Sequence, residues 1–399
     1  MNWPTVKLKD EARLITKGTT PTTLGLKFLK EGIPFLRAQN LVDGSVSVAA
    51  DPIFISPETH DALRRSKIQP SDVLISIAGT IGRAAIVPND AVEMNCNQAV
   101  AIVRPSDRID RRFFLHWLSG SDALAQVTQS TVTGVISNLS LGQIGNLEVP
   151  LPSLTEQRRI AAILDKADAI RRKREQALTL ADDFLRSVFL EMFGDPAENE
   201  RGWPVSPLGD LGDVQGGLQV TAKRVAMGLT LPYLRVANVY RDRLNLDEIK
   251  QINLSESEFK RVRLEGGDIL IVEGHGNPDE IGRAAIWDGS IDPCVHQNHL
   301  IRFRANRKRA LPDFISRFLN SDGGRQQLIG AGRTTSGLNT ISTRKVKEVS
   351  VPLPPVALQE QFAHVVRKQV ALTSRLLGQK VMANDLFAAL SQRAFAGDL

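Results

Sequence analysis

SLTEQRRIAAILDKADAIRRKREQALTLADDFLRSVFLEMFGDP, residues 153–196, is the stretch around which the chain is organised. It predicts one long helix. Ser153 followed by Glu156 forms an S-x-x-E capping box, whose hydroxyl and carboxylate satisfy free backbone N–H groups at a helix start. Pro152 lies just outside, and Gly194 and Pro196 supply the stop, one tolerating a left-handed cap and the other unable to continue the ladder. Between these signals Ile160, Ile163, Ala167, Ile170, Ala177, Ala181, Phe184 and Val188 recur at three- and four-residue steps, a heptad seam broken once at Arg174. Some 40 residues at 1.5 Å each span roughly 60 Å. A solitary helix of that length leaves its stripe in water, so it requires a partner. Residues 356–396 have the same character and end at Gly397. Ile160, Ile163, Ile170, Phe184 and Val188 are therefore expected to pair with Phe362, Val365, Leu372, Leu376, Leu386 and Leu390. Both helices follow a similar entry, VPLPSLTEQ at 149–157 and VPLPPVALQEQ at 351–361.

That similarity extends along the chain as a duplication with a period near 200. Trp3-Pro4 matches Trp203-Pro204, and IPFLRAQN (33–40) matches LPYLRVAN (231–238). SDVLISIAG (71–79) matches GDILIVEGHG (267–276), and IGRAAI at 81–86 recurs at 281–286. FFLHWLSGSD (113–122) resembles FISRFLNSDG (314–323), and VPLP closes both copies. Such a period is too long for a solenoid and means two globular units, each followed by a helix. The expected layout is a unit at 1–150, a spacer helix at 151–197, a second unit at 198–352 and a second spacer helix at 353–399. Within each unit, DVLISIA and DILIVEG read as buried strands, each led by an Asp in a turn. QAVAIVRP and HLIRFRA read as further strands, with short helices near 57–66, 110–126 and 312–329. The fold class is α+β, twice, joined by two long helices.

Bulk properties narrow the function. The 399 residues suffice for two or three domains with proper cores. No apolar run approaches a membrane span, and the first residues lack the apolar core of a signal peptide. Cys96 and Cys294 lie far apart, which fits free thiols in a reducing cytoplasm. A net charge of +6 is compatible with nucleic acid without requiring it.

Catalytic signatures are missing. No Walker A loop, G-x-G-x-x-G turn, G-x-S-x-G elbow or H-E-x-x-H pair occurs. His296 and His299 near Cys294 could be imagined as metal ligands, but the first unit has no histidine in that region, so no metal is expected. Glu248-Ile249-Lys250 and Glu258-Phe259-Lys260 have a nuclease-like E-x-K form, yet no upstream Asp accompanies them and neither recurs in the first unit. What remains are polar loops able to meet phosphates and base edges. Candidates in the first unit are Lys17, Thr19, Arg37, Gln39, Asn40, Thr80, Arg83, Thr133, Ser137 and Asn138. In the second they are Gln219, Lys223, Arg235, Asn238, Arg241, Arg243, Arg283, Arg333, Thr335, Ser336 and Asn339. The pairs Arg37/Arg235 and Arg83/Arg283 recur, as phosphate clamps or structural pairs would; base readers should differ between copies.

The order of globular unit, P-L-P-S-L-T-E-Q-R-R-I-A-A-I-L-D helix, second unit and second VPLP helix resembles the specificity (S) subunit of type I restriction–modification systems, over essentially the whole chain. In the second copy, Phe362-Ala363-His364 stands in place of Arg158-Arg159-Ile160, with two residues added before Glu360. The resemblance implies two target-recognition domains, each reading one half of a bipartite, asymmetric site in double-stranded DNA. It implies two helices paired as an antiparallel coiled coil, with approximate twofold symmetry, that set the gap between half-sites. It implies a chain with no catalytic role or cofactor of its own, which recruits two modification subunits using S-adenosylmethionine and restriction subunits using ATP and Mg. Arg158, Arg159, Arg171, Arg172 and Arg174 are the charged candidates for a docking face. A self-contained DNA methyltransferase or nuclease, and a coiled-coil scaffold that binds protein, are the alternatives.

Overall fold

A computed structural model of the chain describes residues 3–129, 138–332 and 340–399. It divides into two compact units, and both divisions fall inside the long helices. One unit comprises Met1–Gln176 with Gly378–Leu399, the other Ala177–Leu377. Each thus contains a globular part and a piece of both helices.

In the first unit the buried strands assemble as expected from their apolar runs. A six-stranded sheet takes the order Ala12–Lys17, Val100–Pro105, Val73–Ser76, Ala84–Ile86, Gly44–Val46, Leu41–Val42. A smaller sheet sets Ile33–Leu36 between Phe54–Ile55 and Asn95–Cys96. Asp72 leads the central strand because its carboxylate closes the preceding turn, accepting from the Gln69 N–H at 2.8 Å. The same fully buried carboxylate receives both arms of Arg104 at 2.8 and 2.9 Å, so its charge is paired and hydrogen-bonded. In the second unit the central strand is Ile269–Val272, between Leu300–Ala305 and Ala284–Ile286. There Asp268 accepts from the Glu265 N–H at 2.7 Å and from Arg304 at 2.7 and 2.8 Å.

The repeated short motifs close each unit. Thr5–Lys7 pairs with Glu148–Pro150, and Val205–Pro207 with Ser350–Pro352, so the Trp-Pro and VPLP segments meet. Trp3 Nε1 donates to Ala394 O at 2.8 Å and Trp203 Nε1 to Phe193 O at 2.9 Å. Each indole donates to a carbonyl in the last turn of a long helix, where backbone acceptors outnumber intrahelical donors.

The long helices run Leu154–Phe193 and Val356–Ala396. Ser153 caps the first, its hydroxyl accepting from the Glu156 N–H at 3.3 Å, and Gly194 ends it at φ 78°. Gln157 and Gln359, both fully buried, fasten the helices to the globular parts. Gln157 accepts from the Asp110 N–H at 2.8 Å and donates to Arg108 O and Pro152 O at 2.9 Å each. Gln359 accepts from the Leu311 N–H at 2.8 Å and donates to Arg309 O at 3.3 Å and Pro354 O at 2.8 Å. This corrects the expected register. Gln157 corresponds to Gln359, nothing is inserted before Glu360, and Ile160 corresponds to Phe362, both fully buried.

Within each unit the helix pieces run antiparallel. In the first, Glu175 meets Lys380 at 2.8 Å, and the Arg171 guanidinium lies 5.5 Å from the Phe387 ring centre. In the second, Gln369 donates to Ala181 O at 2.8 Å, while Phe189 and Phe193 pack on Phe362 with ring centres 5.5 and 5.4 Å apart. The expected seam needs correction. Ile163, Val188, Val365, Leu376 and Leu390 are half-buried, but Ile170, Phe184, Leu372 and Leu386 are 47%, 51%, 48% and 51% exposed. Two helices bury only the narrow stripe between them, and Ala167, Ala181 and Ala383 take that stripe.

Candidate nucleic-acid interface

The first unit gathers part of its candidate set on one hairpin. Thr80 and Arg83 are exposed in the loop between Val73–Ser76 and Ala84–Ile86, and exposed Asn138 bridges to Ala78 beside them. The Ser76 hydroxyl shapes this loop by accepting from the Arg83 N–H at 2.9 Å, leaving the guanidinium exposed. Lys17 and Thr19 are exposed where the edge strand ends. Gly18 between them passes so close to the chain that a Cβ would sit 1.9 Å from Cys96 O. Gly217 does the same in the second unit, 2.2 Å from Gln297 O.

The turn after Ile33–Leu36 separates its three candidates. Gln39 is exposed, and both arms of Arg37 engage Asp51. Asn40 is fully buried; it accepts from the Arg37 N–H at 2.7 Å and donates to Ser47 O at 2.9 Å. Asn238 repeats this, accepting from the Arg235 N–H at 3.0 Å and donating to Asn245 O and Glu248 O at 2.8 and 3.0 Å. Both asparagines build the turn and have no amide group left for a base. Thr133, Ser137, Arg333, Thr335, Ser336 and Asn339 lie outside the described residues.

In the second unit, Arg235 and Arg283 line a cleft of about 860 Å³ with Tyr240, His275, Gln297 and His299. Arg283 is only 5% exposed. It donates to Glu280 at 2.7 Å and to Val236 O at 2.9 Å, and its guanidinium carbon stands 4.9 Å from the Tyr240 ring centre. Arg243 stands at the same 4.9 Å from that ring. Arg235 is tied to Glu248, and Arg241 donates to Asp279 O. Burial first, and then the cation of Arg325, holds the Arg241 guanidinium below its usual range; Arg283 adds to this while Glu280 opposes it. Gln219 and Lys223 are exposed in the loop beyond.

Sequence reasoning left Tyr240, Glu280, His275, Gln297, His299 and Arg325 out of the DNA-binding candidates, weighing His299 only as a metal ligand. Aligning the two copies would have flagged three of them. In the first unit Val42 stands at the place of Tyr240, Thr80 at that of Glu280, and Leu124 at that of Arg325.

The residues once weighed for catalysis or metal are engaged elsewhere. Glu248 pairs with Arg235 and Lys250, and Glu258 meets Arg224 at 3.0 Å while capping the helix at Ser255. The Cys294 thiol is pushed up to about 12 by burial. His296 is pushed down to about 4 by burial and contacts Val262 O and Gln215 O. Among the described residues, no three His, Cys, Asp or Glu side chains gather as a metal site needs, and no helix is long and apolar enough to cross a membrane.

Residues 1–180 and 200–380 each match the family described as type I restriction modification DNA specificity domain. The chain belongs to that family, as a DNA-specificity subunit of a type I restriction–modification system. It is 25% identical to the specificity subunit of the type I restriction enzyme EcoKI of Escherichia coli K12, over all of this chain and 89% of that protein. It is 24% identical to the StySPI specificity subunit of Salmonella potsdam, with the same coverage. The fold is shared with the crystal structure of the type I S subunit from M. genitalium, at TM-score 0.58, 13% identity and coverage of 99% and 96%. A chain from a structural study of type I complex assembly and conformational transition gives TM-score 0.59 at 18% identity, covering 100% of this chain and 98% of that one.

Proposed function

We propose that each globular unit reads one half of a split, asymmetric site in double-stranded DNA, and that the long helices, as an antiparallel coiled coil with approximate twofold symmetry, fix the gap between the halves. The carrying observation is a constant frame with divergent loops. The Gln157/Gln359 fastening, the Trp3/Trp203 contact and the Asp72/Asp268 turn recur in both units. The surroundings of the paired arginines differ: Arg283 and Tyr240 line a cleft of about 860 Å³, whereas Arg83 is exposed beside a smaller, largely apolar cavity of about 300 Å³ lined by Ile81, Leu118 and Val127, and Val42 stands in place of Tyr240. A frame kept constant while its loops diverge suits two readers of different sequences.

The chain is non-catalytic in this reading and docks two modification subunits, with restriction subunits joining them. S-adenosylmethionine, ATP and Mg belong to those partners. Exposed apolar residues on the helices add to the basic candidates Arg158, Arg159, Arg171, Arg172 and Arg174 for this docking. Arg159 pairs with Glu156, and Arg171 and Arg172 with Asp168, whereas Leu180, Val381 and Met382 are 67%, 58% and 72% exposed.

Replacing residues 1–150 with the corresponding unit of another family member, and mapping adenine methylation in cells that also express the modification subunit, tests this. One half of the methylated motif should change while the other half and the gap persist. A change in both halves, or in neither, refutes modular reading.

A further inference from the structure

The central strands of the two units end in the same backbone bonds but carry different side chains there. The Ile77 N–H donates to Ala99 O at 2.8 Å, and Ile77 O accepts from the Leu139 N–H at 2.8 Å. Glu273 repeats both bonds, donating to His299 O at 2.9 Å and accepting from the Ile341 N–H at 2.8 Å. Glu273 and His299 therefore stand where the first unit has Ile77 and Ala99. Ile77 is 3% exposed and packs in the core, so the frame closes with an apolar pair at this point. A carboxylate in the same place costs stability: burial holds the Glu273 carboxyl above its usual range, with His299 opposing. His299 is its charged contact among the described residues, with Nδ1 3.7 Å from a carboxylate oxygen. The His299 side chain is 49% exposed and lines the cleft, and its ring makes no hydrogen bond among the described residues. Residues 275–280, which bring His275 to the same cleft, stand where the first unit has 79–80. A polar pair that the frame can do without, set against a cleft, points to function rather than folding.

We propose that His299 reads a base of the second half-site, accepting through Nε2 a hydrogen bond from the exocyclic amine of adenine or cytosine, and that Glu273 is its positioning residue. In a neutral imidazole one nitrogen donates and the other accepts, and the partner of one nitrogen sets the role of the other. An ionised carboxylate only accepts, so Glu273 draws the N–H to Nδ1 and leaves the Nε2 lone pair for the cleft. In the major groove adenine N6 and cytosine N4 are donors, whereas guanine O6 and thymine O4 are acceptors that such a lone pair repels. The carboxylate behind the ring also disfavours a phosphate in that position. Ile77 and Ala99 offer neither group, so this contact belongs to the second half-site alone. The proposal deepens the DNA-recognition reading above and rests on it.

The test is duplex binding by the full chain in complex with its modification subunits. Each adenine or cytosine of the second half-site is replaced in turn by its analogue lacking the exocyclic amine, purine or pyrimidin-2-one. His299→Ala installs the first unit's residue and should bind the intact and amine-free duplexes alike at one position, with its salt dependence unchanged. At that position the unaltered complex should prefer the intact duplex on the order of fivefold, the net worth of one hydrogen bond. Glu273→Ile, again the first unit's residue, should blunt the same discrimination while raising Tm, because it removes a half-buried carboxylate. Discrimination that survives His299→Ala at every position overturns the proposal while leaving DNA recognition intact. A preference for guanine or thymine that disappears with His299→Ala makes the ring a donor and overturns it. So does a salt slope reduced by about 0.9, the mark of a lost phosphate contact. A lowered Tm with Glu273→Ile makes the pair a folding contact and removes the positioning role. No preference of the unaltered complex for its own site refutes the recognition reading itself.

Discussion

Replacing Gln359 with alanine removes the fastening between the second globular part and the helix beginning at Val356. Three hydrogen bonds go: one accepted from the Leu311 N–H and two donated to Arg309 O and Pro354 O. Gln359 is fully buried, so its partners have no bulk water waiting for them. An orphaned buried polar group costs roughly 1–3 kcal/mol. A water entering the vacated space would recover part of this for three groups, leaving a net loss of about 3 kcal/mol. The loss should be local. Leu311 is the residue before the helix Pro312–Asn320, so hydrogen exchange should accelerate in peptides covering 309–317. Peptides covering Asp110, whose N–H is held by Gln157, should keep their protection. Gln157→Ala should give the reverse pattern. Urea unfolding supplies the magnitude and exchange mass spectrometry the location. A loss below about 1 kcal/mol, or equal acceleration in both regions, would falsify the assignment of these glutamines as fasteners.

Three further outcomes follow from particular side chains. His296 is neutral in the fold, held at about 4 against an ordinary 6.5, so the unfolded chain takes up a proton that the folded one refuses. Stability of the second unit should be full above pH 6.5 and fall by about 3 kcal/mol as pH drops towards 4; a flat urea midpoint across that window contradicts the burial argument. Phe362→Ala, in a fully buried site against Phe189 and Phe193, should cost about 3–5 kcal/mol by calorimetry, and a loss under 1 kcal/mol would mean the ring cluster is not close-packed. Met382→Glu, on an exposed helix position, should leave stability within about 0.5 kcal/mol yet reduce co-purification with the modification subunit; undiminished co-purification excludes that position from the docking face.

The long helices were legible because their ends are set by local chemistry. Ser153 and Gly194 act through neighbouring backbone groups, and neither depends on distant residues. The strands after Asp72 and Asp268 were legible for the same reason. The seam was less so, since apolar spacing identifies a stripe without saying how much of it a single partner covers; alanines took the contact and Phe184 and Leu386 were left outside. Register in the second VPLP segment was misread because two Gln residues, 359 and 361, compete as letters, whereas only Gln359 reaches the backbone of 309–311. Asn40 and Asn238 illustrate a wider ambiguity. An amide that closes a turn and an amide that reads adenine are the same residue on the page. The influence of Arg325 on Arg241 was invisible for a different reason: the two lie 84 positions apart in sequence, and only the fold brings one charge within reach of the other.

The discontinuity of the first unit bears on how the chain is made. The second unit is a single run, Ala177–Leu377, whereas the first requires Gly378–Leu399 to be complete. Phe395 packs on Phe113 with ring centres 5.4 Å apart, and Ala394 is fully buried in that same core. During synthesis from the amino terminus, residues 1–176 must therefore wait for residues 378–399. The later unit can finish before the earlier one, and residues 1–176 spend nearly the whole of translation with part of their apolar interior unfilled. A nascent chain arrested before residue 378 should hold a protease-resistant second unit beside a first unit that still engages chaperones.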